Sequence, residues 1–161
     1  MDRRFALKIW GKQQVLHSQF PNTLPFSCVS FSSFSLRALV NLLSFFASRR
    51  SRPMTLLVST TGDTGPAAVQ AVSDINNPLL TILVHYPLGQ ISNFQRKQLT
   101  TVRSPCVKVA AFEGGGDDMD RPIKNLLKAQ TEEQRLAGIN SYNIGRPLMQ
   151  MVHYVSRSLS T

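Results

Sequence analysis

Three threonines, an aspartate and two glycines stand together in "STTGDTG", residues 59–65, between the apolar run "TLLV" and the helix-forming "PAAVQAV". In a strand-loop-helix passage of this kind, Gly62 and Gly65 let the backbone turn tightly and approach a ligand closely. The N–H groups that follow are unpaired helix-start donors, and the helix dipole favours negative charge beside them. Thr60, Thr61 and Thr64 add hydroxyl donors. The chemistry on offer is the holding of a small anion. Asp63 opposes it unless its carboxylate points away or meets a donor. The same residues also read as a plain tight turn with Asp63 or Thr64 as the helix cap. No Gly-Lys-Ser/Thr follows, so this is not a Walker phosphate loop.

Other reactive patterns are sparse. "FEGGGDDMD" is a second glycine cluster, but Asp117 and Asp118 occupy its helix start, which suits a turn with an acidic cap better than a phosphate cradle. His17, His85 and His153 are isolated, and Cys28 and Cys106 match no zinc or redox spacing. The histidines read as structural or surface groups, the cysteines as free thiols, and no metal site is expected. Neither a G-x-S-x-G nor an H-E-x-x-H motif occurs.

The elements that must position the loop follow from the pattern around it. "TLLVST" is a buried strand, followed by a helix from Thr64 to Ser73 with Pro66 in its first turn. "LLTILVHYP" is a second strand, and Ser92 caps a helix over "NFQRKQLTTV". "CVKVAAF" is a third strand, after which Asp117 and Asp118 open a helix through "PIKNLLKAQ". "GINSYN" is a short strand or loop, and "RPLMQMVHYVSRSL" a last amphipathic helix. Strands that alternate with helices imply β-α-β crossovers, a parallel sheet and a three-layer α/β fold. Ligands bind at the carboxyl ends of such strands, which is where "STTGDTG" falls.

The net charge of +9 is unevenly placed. Residues 1–53 hold eight Lys/Arg and one acid; residues 54–161 hold ten Lys/Arg and eight acids. The folded part is nearly balanced and lacks a basic stripe with interleaved aromatics, so nucleic acid is not an expected partner. Residues 1–35 read as irregular and 36–161 as the α/β domain. Within "LRALVNLLSFFASRRSRP", Leu36, Leu39, Val40, Leu43 and Phe46 recur at helical spacing, and Pro53 ends the run. That run is too short for a membrane span, which needs ~20 residues. A cytoplasmic location is expected; the acid-poor, Arg- and Ser-rich start leaves a mitochondrial transit peptide as an alternative, and secretion as another.

The order of motifs carries a resemblance. "LVSTTGDTGPAAVQAV", "VHYPLGQISNFQRKQLTTV", "VKVAAFEGGGDDMDRPIK" and "GINSYNIGRPLMQMVHYV" follow one another as in the threonine synthase-like family, of the threonine synthase-like 2 type. That family carries S/T-G-D-T-G-x-A-A, Y-P-x-G-x-I-S-x-x-Q-x-x-Q-(M/L)-T-T, (V/F)-E-G-x-x-D-D and an N-S-x-N segment. The resemblance spans roughly 36–155 and implies part of a pyridoxal-phosphate enzyme of the tryptophan-synthase-β-like fold (fold type II). Such enzymes hold the cofactor as a lysine Schiff base and use its ring as an electron sink. The like-2 proteins resemble phospho-lyases that eliminate phosphate from phosphorylated hydroxyamino acids. By this resemblance Thr60, Thr61, Gly62, Asp63, Thr64 and Gly65 embrace the substrate α-carboxylate, Asp63 and Asn143 lie toward the cofactor, and Asn140 and Ser141 line the cleft.

The resemblance also marks departures. "FSSFSL" aligns with the family's Phe-Lys-Asp-Leu-Ser-Leu, so that Phe31 matches while Ser32 stands for the lysine and Ser33 for the aspartate. Leu88 replaces a position that is often basic. The glycine-rich loop for the cofactor phosphate is expected after the last helix, beyond Thr161, and residues 1–30 match nothing in the family. The expectation is a partial chain, inactive by itself, whose family-level ligand is a phosphorylated amino acid. Its alternative is a non-catalytic isoform serving as a binding or secreted signalling module. Met149, Met151, Val152 and Tyr154 of the last helix are expected to be exposed and to need a second copy or another partner.

Overall fold

The computed structural model describes residues 31–115, 118–131, 135–140, 143–145, 147, 148, 151 and 155. Helix α1 (Phe31–Arg49) leads into strand β1 (Met54–Ser59), helix α2 (Thr64–Ile75), strand β2 (Leu80–Pro87) and helix α3 (Asn93–Thr100). Strand β3 (Val107–Phe112), helix α4 (Asp120–Ala129) and strand β4 (Leu136–Gly138) complete the order. The sheet runs β3-β2-β1-β4, and all three pairings are parallel. β1 is therefore central, which delivers its C-terminal loop to the middle of the sheet's ligand-binding edge.

Alternation along the strands sorts the core into two layers. Leu56 and Val58 of β1, Ile82, Val84 and Tyr86 of β2, and Val107 and Val109 of β3 face α1 and α2. Leu36, Leu39 and Val40 of α1, Ala68, Val69 and Val72 of α2, and Leu99 of α3 cover them. On the opposite face Leu57, Leu83 and Ala110 meet Ile123 of α4, with Leu126 and Leu127 partly buried beside it. Burying one such aliphatic side chain contributes roughly 1.5–3 kcal/mol, so the face with three helices dominates stability.

Several boundaries differ from the sequence expectation. α1 begins at Phe31 rather than after residue 35. Ser35 is fully buried and lies one turn before Leu39, so the core-facing stripe starts on a small polar residue that a hydropathy pattern does not register. α2 continues past Ser73 to Ile75 and stops because Asn76 turns left-handed at φ 46°, its N–H bonding to Val72 O at 3.0 Å. Asp118 does not open α4. Asp118 lies in the preceding turn, Asp120 is the acid of the first helical turn, and Asp117 lies outside the described residues. "GINSYN" contributes only Gly138 to β4, whose other residues are Leu136 and Ala137.

In the last segment Gly145, Pro147, Leu148, Met151 and Val155 are helical. Met151 is exposed as expected, together with Ile144, Leu148 and Val155; Met149, Val152 and Tyr154 lie outside the described residues. Among the described residues no helix is long and apolar enough to cross a membrane.

Candidate functional site: the loop after the central strand

The 60–65 loop is built around one side chain. The Thr60 N–H continues the sheet by donating to His85 O at 2.8 Å. Its hydroxyl then turns inward. Thr60 Oγ1 accepts from Gly65 N at 3.0 Å and from Gly62 N at 3.2 Å, and lies 3.0 Å from Gly62 O as donor. Thr60 is thus a strut of the loop, its hydroxyl already met by main-chain groups of Gly62 and Gly65. The reason is geometric: three main-chain groups of a tight turn converge on the first hydroxyl inside it. Gly65 is required by the same packing. A Cβ there would collide with the Thr60 side chain and stand 3.1 Å from Leu99 Cδ2.

What remains open is consistent with anion binding. Among the described residues no acceptor meets the amides of Thr61, Asp63 and Thr64, and their exposed or half-buried positions leave them accessible. Among the described residues the hydroxyls of Thr61 and Thr64 are likewise engaged by no partner, Thr61 being exposed and Thr64 half-buried. These donors lie at the start of the 12-residue α2, where the dipole adds to their pull on a negative group. Asp63, at the cap position, makes no side-chain cap bond. Its Oδ1 accepts instead from Gln95 Nε2 at 3.1 Å. The carboxylate that opposed the anion reading has met a donor, and that donor comes from 32 residues further along the chain.

Gln95 falls on the first Gln of the S-x-x-Q-x-x-Q motif, to which the sequence alone assigns no site role. Its Oε1 accepts from the Ser92 N–H at 3.2 Å while Ser92 Oγ accepts from Gln95 N at 3.1 Å. This reciprocal capping box fixes the start of α3. The Ser92-x-x-Gln95 spacing was the available signal; its second partner, Asp63, is a contact between loops that spacing does not reveal.

Neighbouring loops are tied to the same edge. Leu88 N donates to Phe112 O, and Gln90 Nε2 to Gly114 O, both at 2.8 Å. On the other side of the sheet the Ser59 hydroxyl donates to Asp120 Oδ1 and accepts from Asn140 Nδ2 at 3.0 Å. Asn140 also brackets the Ser59 backbone, donating to its carbonyl and accepting from its N–H. Asn143 donates to Gly138 O at 2.6 Å and accepts from Gly145 N at 2.9 Å. Both asparagines predicted from the N-S-x-N segment thus hold the main chain of this edge. Ser141 lies outside the described residues. Ser32 lies in the first turn of α1.

Beside Ser59 in register is His85, fully buried. Burial lowers its pKa from 6.5 to about 4, against a hydrogen bond to the Met119 backbone and the Asp120 charge, both of which raise it. It is neutral at pH 7 and packs edge-on to Phe112 at 5.0 Å. This is a core histidine, as its isolation in sequence implied. The Tyr86 hydroxyl on the opposite face has its pKa raised by burial, with the Arg96 charge opposing. Cys106 is buried, its Sγ 3.6 Å from Asn77 O.

No protein-family model matches the chain. Among curated proteins, threonine synthase-like 2 of Homo sapiens is 35% identical over 127 residues, 78% of this chain and 26% of that protein. Threonine synthase of Pseudomonas aeruginosa is 30% identical over 133 residues, covering 81% and 28%. A crystal structure of threonine synthase from Brucella melitensis with pyridoxal phosphate bound matches with a TM-score of 0.70 at 27% identity, over 82% of this chain and 28% of that one. The chain thus spans about a quarter of the length of the curated relatives it matches.

Proposed function

The chain belongs to the threonine synthase-like family, and from this we propose that its 60–65 loop receives the α-carboxylate of a phosphorylated hydroxyamino acid. The observation that carries the reading is the set of open donors at the start of α2, the amides of Thr61, Asp63 and Thr64, standing beside a carboxylate already engaged by Gln95. Thr60 and Gly65 keep the loop rigid, so the donors need no reorganisation when the anion arrives. The hydroxyls of Thr61 and Thr64 add orientation. The reaction class at family level is phosphate elimination in a pyridoxal-phosphate enzyme.

Bound cofactor would supply an electron sink for charge developing at the substrate Cα. The described residues fit the carboxylate side of such a site and do not fit the imine side. Lys97, Lys108, Lys124 and Lys128 are all solvent-exposed, and Lys124 lies 3.9 Å from the Asp120 carboxylate. At the position aligned with the family lysine stands Ser32, whose hydroxyl cannot form an imine. We therefore read this segment as holding substrate without covalent catalysis.

The test is calorimetric titration of the full chain with O-phospho-L-homoserine and with its α-carboxamide. Saturable binding of the acid, weakened at least about tenfold in the amide, supports the reading; tenfold corresponds to about 1.4 kcal/mol, close to the lower end of the roughly 1.5–3 kcal/mol of a hydrogen bond to a charged group. Equal binding of the two, or none, contradicts it.

A further inference from the structure

We infer that Gln95 is the positioning residue that makes the 60–65 loop receptive to a carboxylate, by holding the Asp63 side chain. This rests on the carboxylate reading given above. Without restraint, an exposed aspartate one position before an open helix start has two ways to defeat anion binding. Its carboxylate can cap the helix itself, accepting the amides an incoming anion needs, or it can stand beside the anion and repel it.

The structure shows the first arrangement absent and the carboxylate engaged elsewhere. Asp63 Oδ1 takes the Gln95 Nε2 proton and makes no cap bond. Gln95 is itself held at both ends of its amide. Its Oε1 accepts from the Ser92 N–H at 3.2 Å, a main-chain bond that orients Nε2 toward Asp63, with the Ser92 hydroxyl 3.1 Å away on the cap side. The same Nε2 lies 3.5 Å from where a Cβ on Gly62 would be, so Gln95 packs against the loop backbone as well as its carboxylate. One half-buried side chain joins the cap of α3 to the Asp63 carboxylate, and its amide is the right group for both tasks. A glutamate could complete the capping box but has no proton to give Asp63.

The experiment follows the loop amides of the labelled full chain by NMR during titration with O-phospho-L-homoserine. It compares the unsubstituted chain with Gln95→Ala, Asp63→Asn, the double variant and Ser92→Ala. Gln95→Ala is expected to weaken the response of the Thr61, Asp63 and Thr64 amides about tenfold, the cost of a freed like charge at this distance near a surface. In the Asp63→Asn background the same substitution changes affinity by less than about twofold, because no carboxylate is left to restrain. Ser92→Ala, which removes the hydroxyl half of the cap and leaves Gln95 bonded to Asp63, changes affinity by less than about twofold. Gln95→Met repeats the comparison with side-chain length kept, should the alanine variant fold poorly.

An equal loss in both backgrounds, or a loss reproduced by Ser92→Ala, assigns Gln95 to the helix cap alone and overturns the inference while leaving the carboxylate reading in place. No response in the unsubstituted chain overturns the carboxylate reading and this inference with it.

Discussion

Ser59 and Asn140, separated by 81 positions in sequence, share three hydrogen bonds at the carboxyl end of the central strand. Asn140 Nδ2 donates to Ser59 O at 2.7 Å and to its Oγ at 3.0 Å, while Asn140 Oδ1 accepts from Ser59 N at 3.2 Å. The primary amide imitates a neighbouring peptide group. It extends the β1·β4 pairing past Gly138, where the three-residue β4 ends, and so fixes the point from which the 60–65 loop departs.

Replacing Asn140 by alanine therefore leaves main-chain groups at the end of β1 without partners. Chemical denaturation is expected to show a loss of about 1–3 kcal/mol for Asn140→Ala. Ser59→Ala, which leaves the backbone pair intact, is expected to cost less, about 1 kcal/mol. Equal stability of Asn140→Ala and the parent would show that the amide does not close this edge.

Gly65→Ala places a methyl group against the Thr60 side chain and Leu99. Overpacking of this kind costs typically 1–3 kcal/mol, and relief by rotating Thr60 would break its bonds to Gly62 and Gly65. The expected result is lower stability together with loss of O-phospho-L-homoserine binding. Thr60→Ser keeps the hydroxyl and removes the methyl that Gly65 abuts; in the Gly65→Ala background it should recover part of the stability.

His85 makes stability depend on pH. Its pKa is lowered from 6.5 to about 4 in the folded chain, so between these values the unfolded chain binds a proton that the folded chain refuses. Stability is full above pH 6.5, declines as pH falls toward 4 and has by then lost about 3 kcal/mol from this residue. Denaturation midpoints measured from pH 7.5 to 4 should follow this fall. His85→Asn, uncharged throughout, should flatten it.

Much of this architecture is written locally. The apolar runs that form β1, β2 and β3 are covered on both faces, so their hydropathy alone marks them as strands of a parallel sheet. β4 escapes because Leu136-Ala137-Gly138 is short and has no β-branched residue; its pairing with β1 defines it. The first turns of α1 escape because Ser35 is a buried polar residue on the core stripe. At the site, the glycines and threonines of the loop were legible, as was the conflict posed by Asp63. Its resolution was not, since Gln95 reaches it across a loop-to-loop contact. The inward turn of Thr60 and the backbone duties of Asn140 and Asn143 are likewise tertiary facts. A residue's type says that it can donate; only the fold says to what.

The proposed carboxylate-holding loop lies in a segment whose described lysines are all exposed, and cofactor trapping shows whether any lysine of the chain forms an imine. The full chain is incubated with pyridoxal phosphate, reduced with borohydride, digested and mapped. The expected result is sparse, non-saturating labelling shared among exposed lysines such as Lys97, Lys108, Lys124 and Lys128. One lysine modified stoichiometrically and saturably would contradict the proposal, because the chain would then hold an imine-forming group.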